Sequence, residues 1–281
     1  MDFTNLAFAK LNLNFDRDLF IKEYDEHILP SGIPTANGDF SLRATVKLNK
    51  IWGMVPEEEY TECDYFTQRG DHTTYNFVRG KRPHWIMGQL LYIDPTNITD
   101  PLLKKYALTA LGPSVRNEGL ADQYEWKVKP KFQDLKIVQW IYDMLPLSKI
   151  NNIHTVSIEP GGFASIHRDS KGFYDNSSSA GVNRLYKNGY MVININITDG
   201  GVPLYWSFDG NDAVKYYTCN DDVYITNDYF MHGVPIVTSR RRQIRVTGKA
   251  KPEMLDIIAA NSVITVPENY EFNPSYPQNF S

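Results

Sequence analysis

The sequence predicts a mainly β protein, a sandwich or jelly roll with flanking N-terminal α-helices, and three observations carry that prediction. From His154 onward the chain breaks into short apolar or alternating segments separated by Gly, Pro, Asn and Asp. Many short strands joined by turns point to a sandwich or jelly roll rather than to a parallel sheet with crossover helices. The composition agrees: 18 tyrosines, 14 phenylalanines and 5 tryptophans favour strands and half-buried surfaces over helical bundles. Helical periodicity is confined to a few stretches, most of them in the first half.

In chain order, residues 16–29 carry Leu19, Phe20, Tyr24 and Ile28 at helical spacing, and Pro30 ends the pattern. Strand candidates follow in LRATVKLNKIWGMV from Leu42 and HWIMGQLLYI from His84. Asp100 and Pro101 read as an N-cap and a first-turn proline, opening a helix that runs to Gly112. Residues 133–145 place Leu135, Val138, Ile141 and Leu145 on one stripe ahead of Pro146, a third helix. The β-rich half then offers HTVSIE, FASIHRD, YMVININI, VPLYWSF, AVKYYTC, DVYITN, HGVPIV and RRQIRVTGK as strands, and PEMLDIIAANS from Pro252 as a last helix. No linker-like composition separates the halves. Residues 1–150 are therefore expected to buttress a β-core over 151–250 as one catalytic unit, with 251–281 as a C-terminal helix and tail.

Composition also narrows the function. A net charge of -4 and a pI near 5.9 argue against a general nucleic-acid binder, which needs clustered Lys and Arg. Cys63 and Cys219 lie far apart without metal or disulfide spacing, the usage of a reducing compartment. The first residues lack a basic, apolar leader, and no stretch reaches the roughly 20 apolar residues of a membrane span. The expectation is a cytoplasmic protein with no membrane partner. Its oligomeric state is left open by the sequence.

The chemistry concentrates in FASIHRDS. His167 and Asp169 stand two apart on a strand, so they share a face. His232 in DYFMHGVPI supplies a third donor, and two imidazoles with one carboxylate form the donor set of non-haem Fe(II) oxygenases. Ten residues after His232 comes Arg242, a guanidinium suited to bidentate recognition of a carboxylate. By strand parity Arg242, Ile244 and Val246 share one face and Arg241, Gln243 and Arg245 the other. The apolar set marks the inward face, so Arg242 is the anchor candidate, with Arg240 as its alternative, while Arg241 and Arg245 read as a solvated edge. His27, His72 and His154 read as surface or satisfied core groups.

IEPGGFASIHRD, YMVININITDGG and NDYFMHGVPIVTSRRRQIRV, in that order, resemble the core of the 2-oxoglutarate- and Fe(II)-dependent oxygenases, nearest to the aspartyl/asparaginyl β-hydroxylase-like and prolyl-hydroxylase-like branches. The resemblance covers roughly residues 153–249. It implies a double-stranded β-helix, a cupin-like jelly roll, in which His167, Asp169 and His232 hold iron. It also implies that Arg242 holds the distal carboxylate of 2-oxoglutarate. A second polar contact to that cosubstrate is left among Tyr190, Asn194 and Arg184. The implied activity consumes O2 and 2-oxoglutarate, hydroxylates an unactivated C–H bond and releases succinate and CO2. An amino-acid side chain, free or in a peptide, is the expected substrate. A carboxylate at Asp169 favours hydroxylation over halogenation. Two rival readings remain: a cupin-like metal enzyme that does not use 2-oxoglutarate, and a non-catalytic jelly-roll binding protein.

Overall fold

The computed structural model describes residues 6–35, 85–93, 125–160, 164–167, 189–198, 202–207, 215–219, 222–227, 231–234, 237–260 and 263–265. The chain opens with a strand, β1 (Leu6–Lys10), followed by a short helix, α1 (Arg17–Glu23). Asp16 caps α1, its carboxylate accepting from the Leu19 amide at 3.0 Å, which satisfies one of the donors that a helix start leaves open. The helix predicted over 16–29 is not uniform. It widens into a π turn at Tyr24–Ile28 and tightens into a 3-10 turn at Leu29–Ser31 before the chain turns extended at Gly32. The second helix, α2 (Lys136–Met144), starts later than its apolar stripe predicts, because Pro130–Phe132 form a separate 3-10 turn and Leu135 is extended. Its open N-terminus is capped from α1: the Glu23 carboxylate accepts from the amides of Lys136 at 2.9 Å and Ile137 at 3.0 Å. Phe15 stacks on Phe20 at 4.7 Å, and the edge of Trp140 meets both at 5.8 Å, locking the helices together.

The remaining strands are β2 (Ile33–Thr35), β3 (Trp85–Gln89), β4 (Leu91–Ile93), β5 (Trp126–Val128), β6 (Leu147–Ile158), β7 (Ala164–His167), β8 (Tyr190–Asn196), β9 (Val202–Ser207), β10 (Lys215–Cys219), β11 (Val223–Thr226), β12 (Met231–Val234), β13 (Arg241–Ala250) and β14 (Ile264–Thr265). The helix expected from Pro252 is instead a 3-10 turn at Pro252–Ile257. Pairing overrides its helical pattern: Ile258 bridges to Leu11, and the Ala259 amide donates to the Lys10 carbonyl at 2.9 Å. The strand expected from Leu42 and the helix expected over 100–112 lie outside the described residues.

Among the described residues the strands form an eight-stranded sheet in the order β14-β1-β11-β8-β13-β6-β3-β2, a four-stranded sheet in the order β10-β9-β12-β7, and the small hairpin β4-β5. From β6 onward the chain passes back and forth between the two larger sheets: β6, β8, β11 and β13 belong to the first, β7, β9, β10 and β12 to the second. That alternation, with antiparallel pairing throughout, is a double-stranded β-helix, a jelly roll. N-terminal strands join the same large sheet, β1 at one side through β11 and β3 at the other through β6.

Register sorts the large sheet into two faces, because directly opposed residues lie on the same side. Ile244 pairs with Ile195 and Thr155, and Val246 with Ile193 and Ile153. Ile153, Ile193, Ile195, Ile244 and Val246 pack with Phe20, Tyr24, Ile28, Ile137 and Ile141 of the helical layer in one apolar core. The other face carries Phe8, Tyr224, Asn194, Gln243, Arg241, Val156 and Ile158, which are buried as well. The helical layer lies on the opposite side, and the four-stranded sheet is entered after β6, β8 and β11; in a jelly roll the second sheet packs over the face that the first leaves to it.

Candidate functional site

Across β8, β11 and β13 the second face is polar where a packed sandwich would be apolar. At its centre the Gln243 amide nitrogen donates to Asn194 Oδ1 at 2.5 Å and approaches the Tyr224 hydroxyl at 3.3 Å, and Asn194 Nδ2 donates to Thr226 Oγ1 at 2.7 Å. All four side chains are buried. Buried amides are retained only when hydrogen-bonded. This chain therefore crosses β13, β8 and β11 as a fixed polar floor. Asn196 extends it, its Oδ1 accepting from the Thr198 amide at 3.2 Å.

Two residues along β13 from Gln243, on the same parity, is Arg241, only 3% exposed. A guanidinium so buried on a polar interior face is the feature that the sequence reading assigned to a solvated edge. Arg242 takes the other face. Its Nε and Nη2 donate to the two carboxylate oxygens of Asp25 at 2.8 and 2.7 Å, a bidentate pair that holds Arg242 above the ordinary arginine value. The set Arg242, Ile244 and Val246 thus points under the helices, and the parity that marked it as inward marks the helix-covered core rather than the jelly-roll interior. Arg240, the alternative anchor, also lies on that side and is bidentate to Glu159 at 2.7 and 3.1 Å.

On the second sheet, β12 pairs with β7 so that position 232 stands directly opposite position 167, and β9 places Trp206 opposite position 232 on the other side. Opposed Cα positions in an antiparallel pair are about 5 Å apart and share a face. Two histidines separated by 65 positions in the sequence are thus neighbours across one ladder. Asp169 follows the end of β7 by two residues and, like Arg184, lies outside the described residues. No group of three metal-type donors forms among the described residues alone. The donor chemistry nevertheless fits iron: two imidazole positions side by side, with a carboxylate position two residues beyond one of them.

Of the further contacts expected for a cosubstrate, Asn194 is part of the polar floor. Tyr190 is buried at the far end of β8, its ring 5.9 Å from the Lys249 ammonium. Lys249 is eight residues past Arg241 on β13, roughly 25 Å at the usual rise of a strand, so Tyr190 and Arg241 are not brought together. His154 is half-buried beside Asn152, with its ring nitrogens 3.2 and 3.3 Å from the amide nitrogen, and His27 is exposed next to Glu26.

No family model and no curated protein sequence matches this chain. Solved structures similar to it include a Pseudomonas putida prolyl-4-hydroxylase, at a TM-score of 0.37 and 13% identity over 89% of this chain and 95% of that one. A Trichoplax adhaerens prolyl hydroxylase in complex with a hypoxia-inducible-factor peptide follows at 0.28 and 11%, covering 85% of this chain and 91% of that one. A 2-oxoglutarate–Fe(II) oxygenase family protein from Burkholderia pseudomallei follows at 0.29 and 10%, covering 87% and 99%.

Sequence reasoning set Arg241 aside as a solvated edge residue and did not single out Asp25. A signal for the first was present: β8 and β13 each carry one apolar and one polar set, and Asn194 and Asn196 keep the parity that register later matches to Arg241 and Gln243. For Asp25 the sequence holds no signal, since its partner lies 217 positions away.

Proposed function

We propose that the protein is a 2-oxoglutarate- and Fe(II)-dependent oxygenase that hydroxylates an unactivated C–H bond of an amino-acid side chain, free or within a peptide. The observation that carries this reading is the register of β7 and β12, which sets positions 167 and 232 opposite each other. His167, Asp169 and His232 would hold the metal. Bound iron would supply the activation of O2, coupled to oxidative decarboxylation of 2-oxoglutarate to succinate and CO2. Arg241, not Arg242, would receive the distal carboxylate, because it lies on the interior face of β13 and, unlike Arg245 on the same face, is buried. In a dry site a charge-assisted pair with a carboxylate is stronger and better oriented than in water. The Gln243, Asn194, Tyr224 and Thr226 chain orients the floor beside it and keeps its donors from turning. Asn194 and Arg184, the latter outside the described residues, remain the candidates for a further polar contact to the cosubstrate.

Succinate formation from 2-oxoglutarate, measured with iron and ascorbate over a panel of amino acids and peptides, tests the reading. Wild-type protein should release succinate, His232→Ala should lose metal and turnover together, and Arg241→Ala should raise the 2-oxoglutarate KM about 100-fold with metal retained. Metal binding without any succinate release would favour a cupin-like enzyme that does not use this cosubstrate.

A further inference from the structure

We infer that Asp25, with Glu159 as its partner, is a positioning residue for the cosubstrate anchor: the two carboxylates grip the arginines on either side of Arg241 and hold it facing inward. The inference rests on the reading of Arg241 given above. Three arginines in succession, Arg240 just before β13 and Arg241 and Arg242 as its first two residues, stand at its start. Arg240 and Arg242 share one parity, and each is seized by a carboxylate through two parallel hydrogen bonds, Arg240 by Glu159 at 2.7 and 3.1 Å and Arg242 by Asp25 at 2.8 and 2.7 Å. Asp25 also reaches Arg240, Oδ1 to Nη1 at 3.9 Å, so the two forks form one cluster. Successive residues of a strand face opposite sides, so pinning the residues before and after it leaves the middle one to the interior.

Two effects follow. The first is register. A slip of one residue would exchange the faces and send Arg241 under the helices. The slip is opposed at the same point by the Arg242 amide, which donates to Thr198 Oγ1 at 2.5 Å, and by the Ile197 amide, which donates to the Arg242 carbonyl at 3.2 Å. The second is charge. Three adjacent guanidiniums repel one another, and two carboxylates cancel two of them on the helix side. Both ion pairs lie on the helix side, away from the face that Arg241 shares with the polar floor.

The Asp25 carboxylate is itself held. It belongs to the π turn, flanked by Glu23, which caps α2, and by Tyr24, which is buried and hydrogen-bonded to Thr155 of β6. Gly88 leaves room for that bond, since a Cβ there would lie 2.5 Å from Thr155 Oγ1. The N-terminal helix thereby reaches the cosubstrate pocket without lining it.

The test is titration of 2-oxoglutarate into Mn(II)-loaded protein, paired with steady-state kinetics, for wild type, Asp25→Asn, Asp25→Glu, Glu159→Gln and Arg241→Ala. Asp25→Asn should weaken 2-oxoglutarate binding about tenfold and raise its KM equally, with kcat at saturating cosubstrate and Mn(II) affinity within about twofold of wild type. Asp25→Glu should recover most of the loss, and Glu159→Gln, whose partner Arg240 is the more exposed of the two gripped arginines, should shift KM in the same direction by about threefold. Wild-type KM in both Asp25→Asn and Glu159→Gln, while Arg241→Ala still loses the cosubstrate, would overturn the positioning role and leave the anchor standing. Wild-type protein that binds no 2-oxoglutarate would overturn the anchor itself. Should Asp25→Asn fail to fold, an unchanged KM in Glu159→Gln alone overturns the inference.

Discussion

On the helix-covered face of the large sheet, β8 and β13 present Ile193, Ile195, Ile244 and Val246, and on the opposite face the same two strands present Asn194, Asn196, Arg241 and Gln243. Both sets are buried. Burial alone therefore does not separate the part of this molecule that holds the fold from the part proposed to receive the cosubstrate; the chemistry of what is buried does. The isoleucines and the valine need only shape and volume, and they exchange water for neighbours in the helices. The polar set gains little by leaving water. It is kept in order by partners at fixed distances, the Gln243 to Asn194 to Thr226 chain above all. One face stores stability, and the other spends it on geometry.

The largest effect that would sharpen this contrast is expected on the apolar face. Ile244→Ala removes a fully buried side chain from the core shared with α1 and α2 and should lower unfolding free energy by about 3 kcal/mol, read from urea denaturation. The 2-oxoglutarate KM of the folded fraction should stay unchanged. Gln243→Leu comes next: it leaves Asn194 Oδ1 without the 2.5 Å donor described here and should cost about 2 kcal/mol while also raising that KM. Equal losses of stability with no change in KM for Gln243→Leu would break the comparison, since the polar face would then be only a second core.

The smallest effect concerns a buried group on neither face. Burial, with Lys131 nearby, pushes the Lys129 ammonium down to about 6 from 10.5. Its folded value lies below its unfolded one, so between those limits the unfolded chain binds a proton that the folded chain refuses, and stability rises with pH across that window. Lys129→Met should stabilise the protein at pH 7 by about 1 kcal/mol, the gain fading as pH approaches 10. A gain independent of pH would show that Lys129 costs nothing through its charge.

Much of the architecture was legible because its signals are local. Alternation in YMVININI and RRQIRV marks strands that the structure places at β8 and β13, and Gly, Pro and Asn mark their ends. The order of strands between two sheets was legible only through resemblance, since pairing between residues such as 167 and 232 leaves no trace in either segment alone. The misreadings share one cause. Parity in RRRQIRV correctly separates Arg242 from Arg241, yet it does not say which of two buried faces is the one proposed to receive the cosubstrate. That depends on whether the helices or the second sheet cover it, which is a tertiary fact. The PEMLDII segment fails for a similar reason: a helical pattern yields where Leu11 offers Ile258 a strand partner.

The turn at Glu23, Tyr24 and Asp25 fixes three different elements with three consecutive residues: α2, β6 and β13. A single inserted or deleted residue there would rotate everything beyond it by about 100° around the helix axis and disengage the three together. Homologous chains able to change length freely in their connecting segments should therefore hold this short span constant, making it a fiducial mark for aligning sequences too divergent to match elsewhere.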